Sequence, residues 1–214
     1  MKDELQGRWS SRAAMALLGA IGAVFAIVVW QTWEPAKVVA QEAKAAPART
    51  VSAEESAAAF LEAYKVFMHP RCMNCHPKGD APLQGDDSHP HLQLVKRGPD
   101  GKGKYAMKCG ACHQDHNLPG ENMPPGNPNW HLLTPEMPMV FEGKSPRELA
   151  LQMVDPKQNG GKSLEQLFHH VAEDSLVLWG WDPGEGRTKP PLTHEEFTKA
   201  MRTWIDGGAV APAK

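Results

Sequence analysis

The longest apolar run in the chain comes near its start. Residues 13–30 (AAMALLGAIGAVFAIVVW) carry no charge, and as a helix they would span about 27 Å, close to the ~30 Å hydrocarbon layer of a bilayer. Trp9 on one side and Trp30 and Trp33 on the other are placed to act as interfacial anchors. Lys2, Arg8 and Arg12 precede the run and favour a cytoplasmic N-terminus, with Asp3 and Glu4 offsetting part of their charge. The pattern predicts a cytoplasmic stretch 1–12 and a transmembrane anchor 13–33. The rival reading is a cleaved signal peptide with Val38-Val39-Ala40 as the small-residue site, which needs an apolar region longer than the usual 7–15 residues. Both readings export the rest of the chain.

Residues 34–51 (EPAKVVAQEAKAAPARTV) form an Ala/Pro/Lys/Glu linker that could reach ~60 Å when extended. From 52 onward the pattern changes to short amphipathic helices separated by long loops. Four capping boxes mark helix starts: Ser52–Glu55, Ser145–Glu148, Ser163–Gln166 and Thr193–Glu196. In the first helix Ala57, Phe60, Leu61, Tyr64 and Phe67 make one apolar stripe, which Pro70 ends. In the last, Phe197, Ala200, Met201 and Trp204 make another, closed by Gly207-Gly208. No strand pattern stands out. The expected fold is mainly α with long loops, a single domain over 52–214.

Composition narrows the chemistry. The chain has 23 Lys and Arg against 25 Asp and Glu, so nothing points to nucleic acid. Gly and Pro contribute 19 residues each in 214, well above average usage; a loop-rich chain of this kind needs a core, and an internal cofactor would supply one.

All four cysteines fall in two C-x-x-C pairs, each followed at once by histidine: CMNCH at 72–76 and CGACH at 109–113. Two thiols three positions apart can add to the two vinyl groups of one haem, and the adjacent histidine then reaches the iron. A structural zinc site would leave both trailing histidines idle, and a thioredoxin-like motif needs a βαβ context that is absent. The motifs therefore predict two haem c groups, held by Cys72, Cys75, Cys109 and Cys112, with His76 and His113 as proximal iron ligands. No cysteine remains for a disulfide.

An aromatic helix entering a CxxCH motif, a Pro-rich loop that offers Met, and a closing aromatic helix are similar to the class I cytochrome c plan. The two motifs stand only 37 residues apart, too close for two complete domains, so the match is to one enlarged domain enclosing both haems. The runs HPRCMNCHPKGD (69–80), RGPDGKG (97–103) and HHVAEDSLVLWGW (169–181) resemble a family of bacterial di-haem cytochromes labelled isoquinoline 1-oxidoreductase subunit. The resemblance covers most of 69–210. It implies a redox subunit beside a larger oxidoreductase; the N-terminal segment is what places the haem domain on the periplasmic side of the inner membrane, or free in the periplasm if the leader is cleaved.

The distal ligands are less constrained. Met201 and Met153 lie on apolar helix faces and read as core, His169 points to water, His194 follows an N-cap, and His116 is too near His113 to swing to the opposite face. Met137 and Met139 sit in a loop stiffened by Pro135 and Pro138; the family resemblance, in which the matching Met precedes an aromatic-Glu-Gly run, selects Met139 as axial ligand of the second haem. For the first haem the expected ligand is His91, at the edge of an apolar segment with Leu92, Leu94 and Val95. His69, His89 and His170 are the runners-up. A His/His and a His/Met iron would differ in potential.

Lys96, Arg97, Lys102, Lys104 and Lys108 form a basic stretch that is either a docking site for an acidic redox partner or a solvated loop. Trp130, Trp179 and Trp181 either cover haem faces or belong to the core. Two function classes remain. The first is a membrane-anchored electron carrier, not an enzyme, that passes electrons between a redox enzyme and the respiratory chain. The second is a di-haem enzyme or gas sensor with one open iron. Di-haem peroxidases are longer, with motifs in separate domains, and no positioned acid or base is evident here. The electron carrier is the expectation.

Overall fold

Four Ser or Thr hydroxyls set the helical frame of the computed structural model, which describes residues 50–213. The elements are α1 (Ala53–Phe67), α2 (Pro70–Met73), β1 (Leu83–Gln84), β2 (His89–Pro90), α3 (Pro146–Val154), α4 (Leu164–Glu173), α5 (Ser175–Leu178) and α6 (His194–Asp206). Short 3₁₀ turns cover Cys109–Ala111 and Trp179–Trp181. At α1 the Ser52 hydroxyl accepts from Glu55 N at 3.1 Å while Ser52 N donates to the Glu55 carboxylate at 2.9 Å. The same reciprocal box starts α3, α4 and α6 at each of the other positions read from sequence. The expected N-terminal stretch 1–12, the anchor 13–33 and the linker up to residue 49 lie outside the described residues. Among the described residues no helix is long and apolar enough to cross a membrane.

The core is an aromatic chain between α1 and α6. The Phe60 and Trp204 rings lie 4.8 Å apart, and Phe67 packs edge-on against Phe197 at 5.2 Å and Phe141 at 5.4 Å. The α6 stripe is as expected, with Phe197, Met201 and Trp204 buried. The α1 stripe is rotated from its expected position: Ser56, Phe60, Ala63, Val66 and Phe67 are buried, and Leu61 is exposed. Polar contacts fix that rotation, because the Ser56 hydroxyl donates to Trp204 O at 2.7 Å and accepts from Val210 N at 3.1 Å. Gly207 permits the approach, since a Cβ there would sit 2.6 Å from the Ser56 Cβ.

A feature with no expectation behind it is the antiparallel pair β1–β2, in register Leu83↔Pro90 and Gln84↔His89. Two-residue strands leave no alternation to read. This pair nevertheless places His89 and, just beyond it, His91 beside the second cysteine motif.

Candidate cofactor site

The two motif histidines are built by one rule. His76 Nδ1 lies 2.7 Å from the main-chain oxygen of Met139, and its ring stacks on Phe141 with centroids 3.8 Å apart and planes 6° from parallel. His113 Nδ1 lies 2.7 Å from the main-chain oxygen of Pro125, and its ring stacks on Trp130 at 4.4 Å and 11°. A carbonyl only accepts, so each Nδ1 carries the proton and donates it. Each Nε2 is then left with a free lone pair on a ring whose orientation is fixed, the arrangement that metal-ligating imidazoles need. Burial drives the His76 pKa down to about 4, against the raising effect of the Met139 hydrogen bond, so the ring is neutral at pH 7. Burial also lowers the His113 pKa.

Local sequence explains the placement. His69 caps α2, accepting from Arg71 N at 3.3 Å, and Pro70 occupies its first turn. The short helix carries Cys72, and His76 N closes the next turn on Met73 O at 2.9 Å. Phe141 N donates to His76 O at 2.9 Å, which pins the Met139–Phe141 segment beside the imidazole. In the second motif Cys112 N and His113 N both donate to Cys109 O, at 3.1 and 2.9 Å.

All four cysteine thiols are free. Burial pushes the Cys72 thiol up to about 12 and Cys75 up to about 11. They are protonated at neutral pH and are not activated nucleophiles, which does not suit a dithiol redox site.

Between the motifs lies a cavity of about 460 Å³, within the range of small-molecule and cofactor sites. Cys75 of the first motif and Cys109, Cys112 and His113 of the second all line it, with His89, His91 and Arg71. Five buried side-chain polar atoms lack a hydrogen-bond partner among the described residues: Arg71 Nε, Asn74 Oδ1, Ser88 Oγ, His89 Nε2 and His91 Nδ1. Four of these five residues line this cavity. Such orphans are costly, and their gathering at one place gives this cavity a lining with polar atoms free to meet a bound group. No cluster of three or more His, Cys, Asp or Glu among the described residues is arranged to hold a metal ion; a metal held inside a macrocycle needs only two protein ligands.

The distal candidates fall differently from their expected places. His91 does not face His76. Its ring lies 6.4 Å from that of His113, at 61°. Two imidazoles on opposite sides of one iron, each with a bond of about 2 Å, have ring centres roughly 6 Å apart. His91 is therefore placed for the second motif, and the apolar segment expected to bury it is exposed, Leu92 at 69% and Leu94 at 83%.

Met139 also lies elsewhere than expected. It stands beside His76 rather than His113, and its sulfur is in the core, 3.5 Å from Gln152 Nε2. What reaches the motif histidine is its main-chain oxygen. His69 is consumed by helix capping and by a 3.4 Å contact of its Nε2 with Thr188 Oγ1. His89 has Nδ1 2.6 Å from Asp87 Oδ1 and an unpartnered Nε2. His170 lies close enough to His76 to depress its pKa, and its Nδ1 is 3.3 Å from Asp174 Oδ2.

Sequence reasoning missed Pro125, Phe141 and the Met139 carbonyl, for which no residue signal exists, and Arg71, whose place next to Cys72 was the available hint. Trp130 takes the role of covering the His113 ring, while Trp181 packs on Phe197 at 5.5 Å in the core. In the basic stretch Arg97 is buried at 2% exposure and braces two loops, donating to Leu133 O at 2.8 Å and Gly79 O at 3.0 Å. Lys96 and Lys102 are exposed.

Compared with known protein families, curated proteins and solved structures, the chain finds no match.

Proposed function

We propose that this chain is a membrane-anchored, periplasmic di-haem c-type cytochrome that relays electrons between a redox enzyme and a membrane electron-transport chain. The observation that carries the reading is the paired construction of His76 and His113. Each directly follows a C-x-x-C pair, each has Nδ1 held at 2.7 Å by a loop carbonyl, and each is stacked on an aromatic ring.

Cys72 and Cys75 hold one haem and Cys109 and Cys112 the other, with His76 and His113 as proximal ligands. Haem iron supplies reversible one-electron exchange; the chain supplies ligands, orientation and exclusion of water. His91, whose ring lies 6.4 Å from that of His113, would be the residue to supply a second ligand there. Near His76 the remaining imidazole is His170, whose Nδ1 lies 3.3 Å from Asp174 Oδ2; with haem bound, its Nε2 would be the nitrogen available to the iron. A second imidazole beside each motif histidine would take the position a small ligand needs, which favours electron transfer over catalysis. Phe141 and Trp130 limit rotation of the proximal rings, so little rearrangement accompanies a change of charge.

The test is the purified protein made in a host that matures c-type cytochromes. Intact mass should exceed the polypeptide by two haems, and the oxidised and reduced spectra should both be low-spin and unchanged by carbon monoxide. A protein without covalent haem would refute the reading; a high-spin iron that binds carbon monoxide would move it to the enzyme or sensor class.

A further inference from the structure

We propose that loops 92–96 and 104–108 dock on an anionic lipid surface, with Leu92, Leu94, Tyr105 and Met107 entering the headgroup layer and neighbouring lysines meeting lipid phosphates. Nearness to a bilayer comes from the proposed anchor, so the docking rests on that part of the reading and on nothing about the haems.

Two loops make the patch. Gly103 N donates to Arg97 O at 2.8 Å, and a Cβ at Gly98 would lie 2.6 Å from Gly103 O, so the loops on either side of this contact are neighbours. Val95 on one and Met107 on the other line the same cavity, that of His113. The outward side chains are large, apolar and bare: Leu92, Leu94 and Met107 are exposed, and Tyr105 is 91% exposed. Leu94 and Tyr105 also hold left-handed backbone, φ 56° and 52°, which large side chains adopt only at a cost. That strain holds two apolar side chains out in water, and entry into a lipid layer takes their surface out of it.

Charge selects the lipid. Residues 92–108 carry Lys96, Arg97, Lys102, Lys104 and Lys108 against a single acid, Asp100, in a chain whose net charge is −2. Arg97 is buried, Lys104 lies 3.4 Å from Asp80, and Lys108 lies 3.8 Å from Asp100. Lys96 and Lys102 are exposed and form no ion pair among the described residues. They supply the charge that an anionic headgroup complements.

The residue types favour lipid over a protein partner. Leu is scarce among the side chains that dominate protein interfaces, and Lys is depleted there. Leu, an aromatic ring and Lys together are the makeup of segments that lie in the membrane interface, where Tyr seats its ring at headgroup level. Reach permits the contact, because only residues 34–49 separate the proposed anchor from the first described residue, a span of at most about 55 Å. Docking in this way sets the cavity of His113 against the lipid, since Val95 and Met107 belong to its wall.

The experiment is photocrosslinking of the full-length protein in vesicles of phosphatidylcholine, alone or mixed with phosphatidylglycerol. Each vesicle carries a lipid with a photoreactive headgroup, and labelled peptides are mapped by mass. Peptides within 92–108 should be labelled in the anionic vesicles, less so as salt is added. Lys96→Gln and Lys102→Gln should each lower the ratio of docked to undocked protein about fivefold. Leu94→Asn with Tyr105→Asn should lower it about tenfold; Asn tolerates left-handed backbone, so the thermal midpoint should hold.

Labelling at 13–33 with none at 92–108 would overturn the docking and leave the anchor standing. Labelling at neither would remove the anchored reading beneath it. Equal labelling of 92–108 in neutral and anionic vesicles would overturn the role given to the lysines. Chemical crosslinks joining 92–108 to a second copy, without lipid label, would assign the loops to a protein surface and overturn the bilayer as occupant.

Discussion

Gly126 offers a test of whether the loop carbonyl beside His113 tunes an iron. A Cβ at this position would lie 1.9 Å from His116 O, 2.1 Å from His116 C and 2.7 Å from Gln114 O. To bring the first contact out to 3.0 Å, the two segments must part by about 1.1 Å, taken as 3.0 minus 1.9. One segment carries Pro125, whose oxygen accepts from His113 Nδ1 at 2.7 Å; the other continues directly from His113. Whichever side yields, the hydrogen bond stretches, and a lengthening of about 0.8 Å is enough to lose it. A bond of this kind is worth about 0.5–1.5 kcal/mol, equivalent to roughly 20–65 mV for one electron.

The sign comes from ligand basicity. An imidazole that donates from Nδ1 is a stronger donor at Nε2 and favours the ferric state. Gly126→Ala should therefore raise the potential of the haem at His113 by some tens of millivolts and leave the haem at His76 alone. The assay is a redox titration resolved into two one-electron steps, alongside Gly79→Ala and Gly110→Ala, where a Cβ would meet nothing within 4 Å. A potential unchanged in Gly126→Ala while its unfolding midpoint falls would refute the reasoning, since the clash would then have been absorbed without touching the imidazole. An equal shift of both haems would refute it too.

Cys72→Ser and Cys109→Ser should each sharply reduce covalent haem at one site only; full haem stain in both variants would remove the motif assignment. His91→Ala should convert one of the two irons to a high-spin form that binds carbon monoxide, and an iron that stays low-spin would show that another side chain holds that position. Met139→Leu keeps the main-chain oxygen and loses the sulfur, so both haem spectra should be unchanged; loss of a Met–iron charge-transfer band would restore the thioether as a ligand. Phe141→Ala, which strips a 5%-exposed ring from between Phe67 and His76, should cost about 3–5 kcal/mol in denaturant unfolding, and a cost under about 1 kcal/mol would mean that the ring is not part of the core.

Local rules carried the sequence a long way. Four helix starts were legible because a capping box is a contact between residues three apart. The two cysteine motifs are visible as spacings, and the structure adds the carbonyl and the aromatic ring held against each trailing histidine. What failed depended on which face of a residue meets which partner. The loop around Met139 does reach a motif histidine, but a sequence shows the thioether and not the main-chain oxygen, and it is the oxygen that makes the contact. The left-handed backbone at Met139, φ 44°, is equally invisible. His91 was expected beside the first motif and its ring lies beside His113 of the second, a placement set by the two-residue pairing of β1 and β2 and not by any periodic pattern. The α1 stripe was misplaced by a buried serine, because hydrophobic counting takes no notice of a hydroxyl that bonds two main-chain groups.

These placements bear on how two cofactors would work in one small domain. Cys75 belongs to the first motif yet lines the cavity of the second, and it lies close enough to Cys109 for the two thiols to influence each other's ionisation. If each motif holds a haem, the attachment edges of the two would meet at this cavity, and the proposed relay would pass near these sulfurs. Ligand type would not distinguish the ends of such a relay if imidazoles serve both irons. The direction would be set by surroundings. The His76 side is packed into the aromatic core through Phe141, while the His113 side opens beside exposed Cys112 and a cavity wall carrying two arginines. Arg71 is paired with Asp86, so Arg187 is the arginine on that wall whose charge would favour a reduced iron; the His113 end would then be the better electron acceptor, and the end nearer solvent would be where electrons rest before leaving.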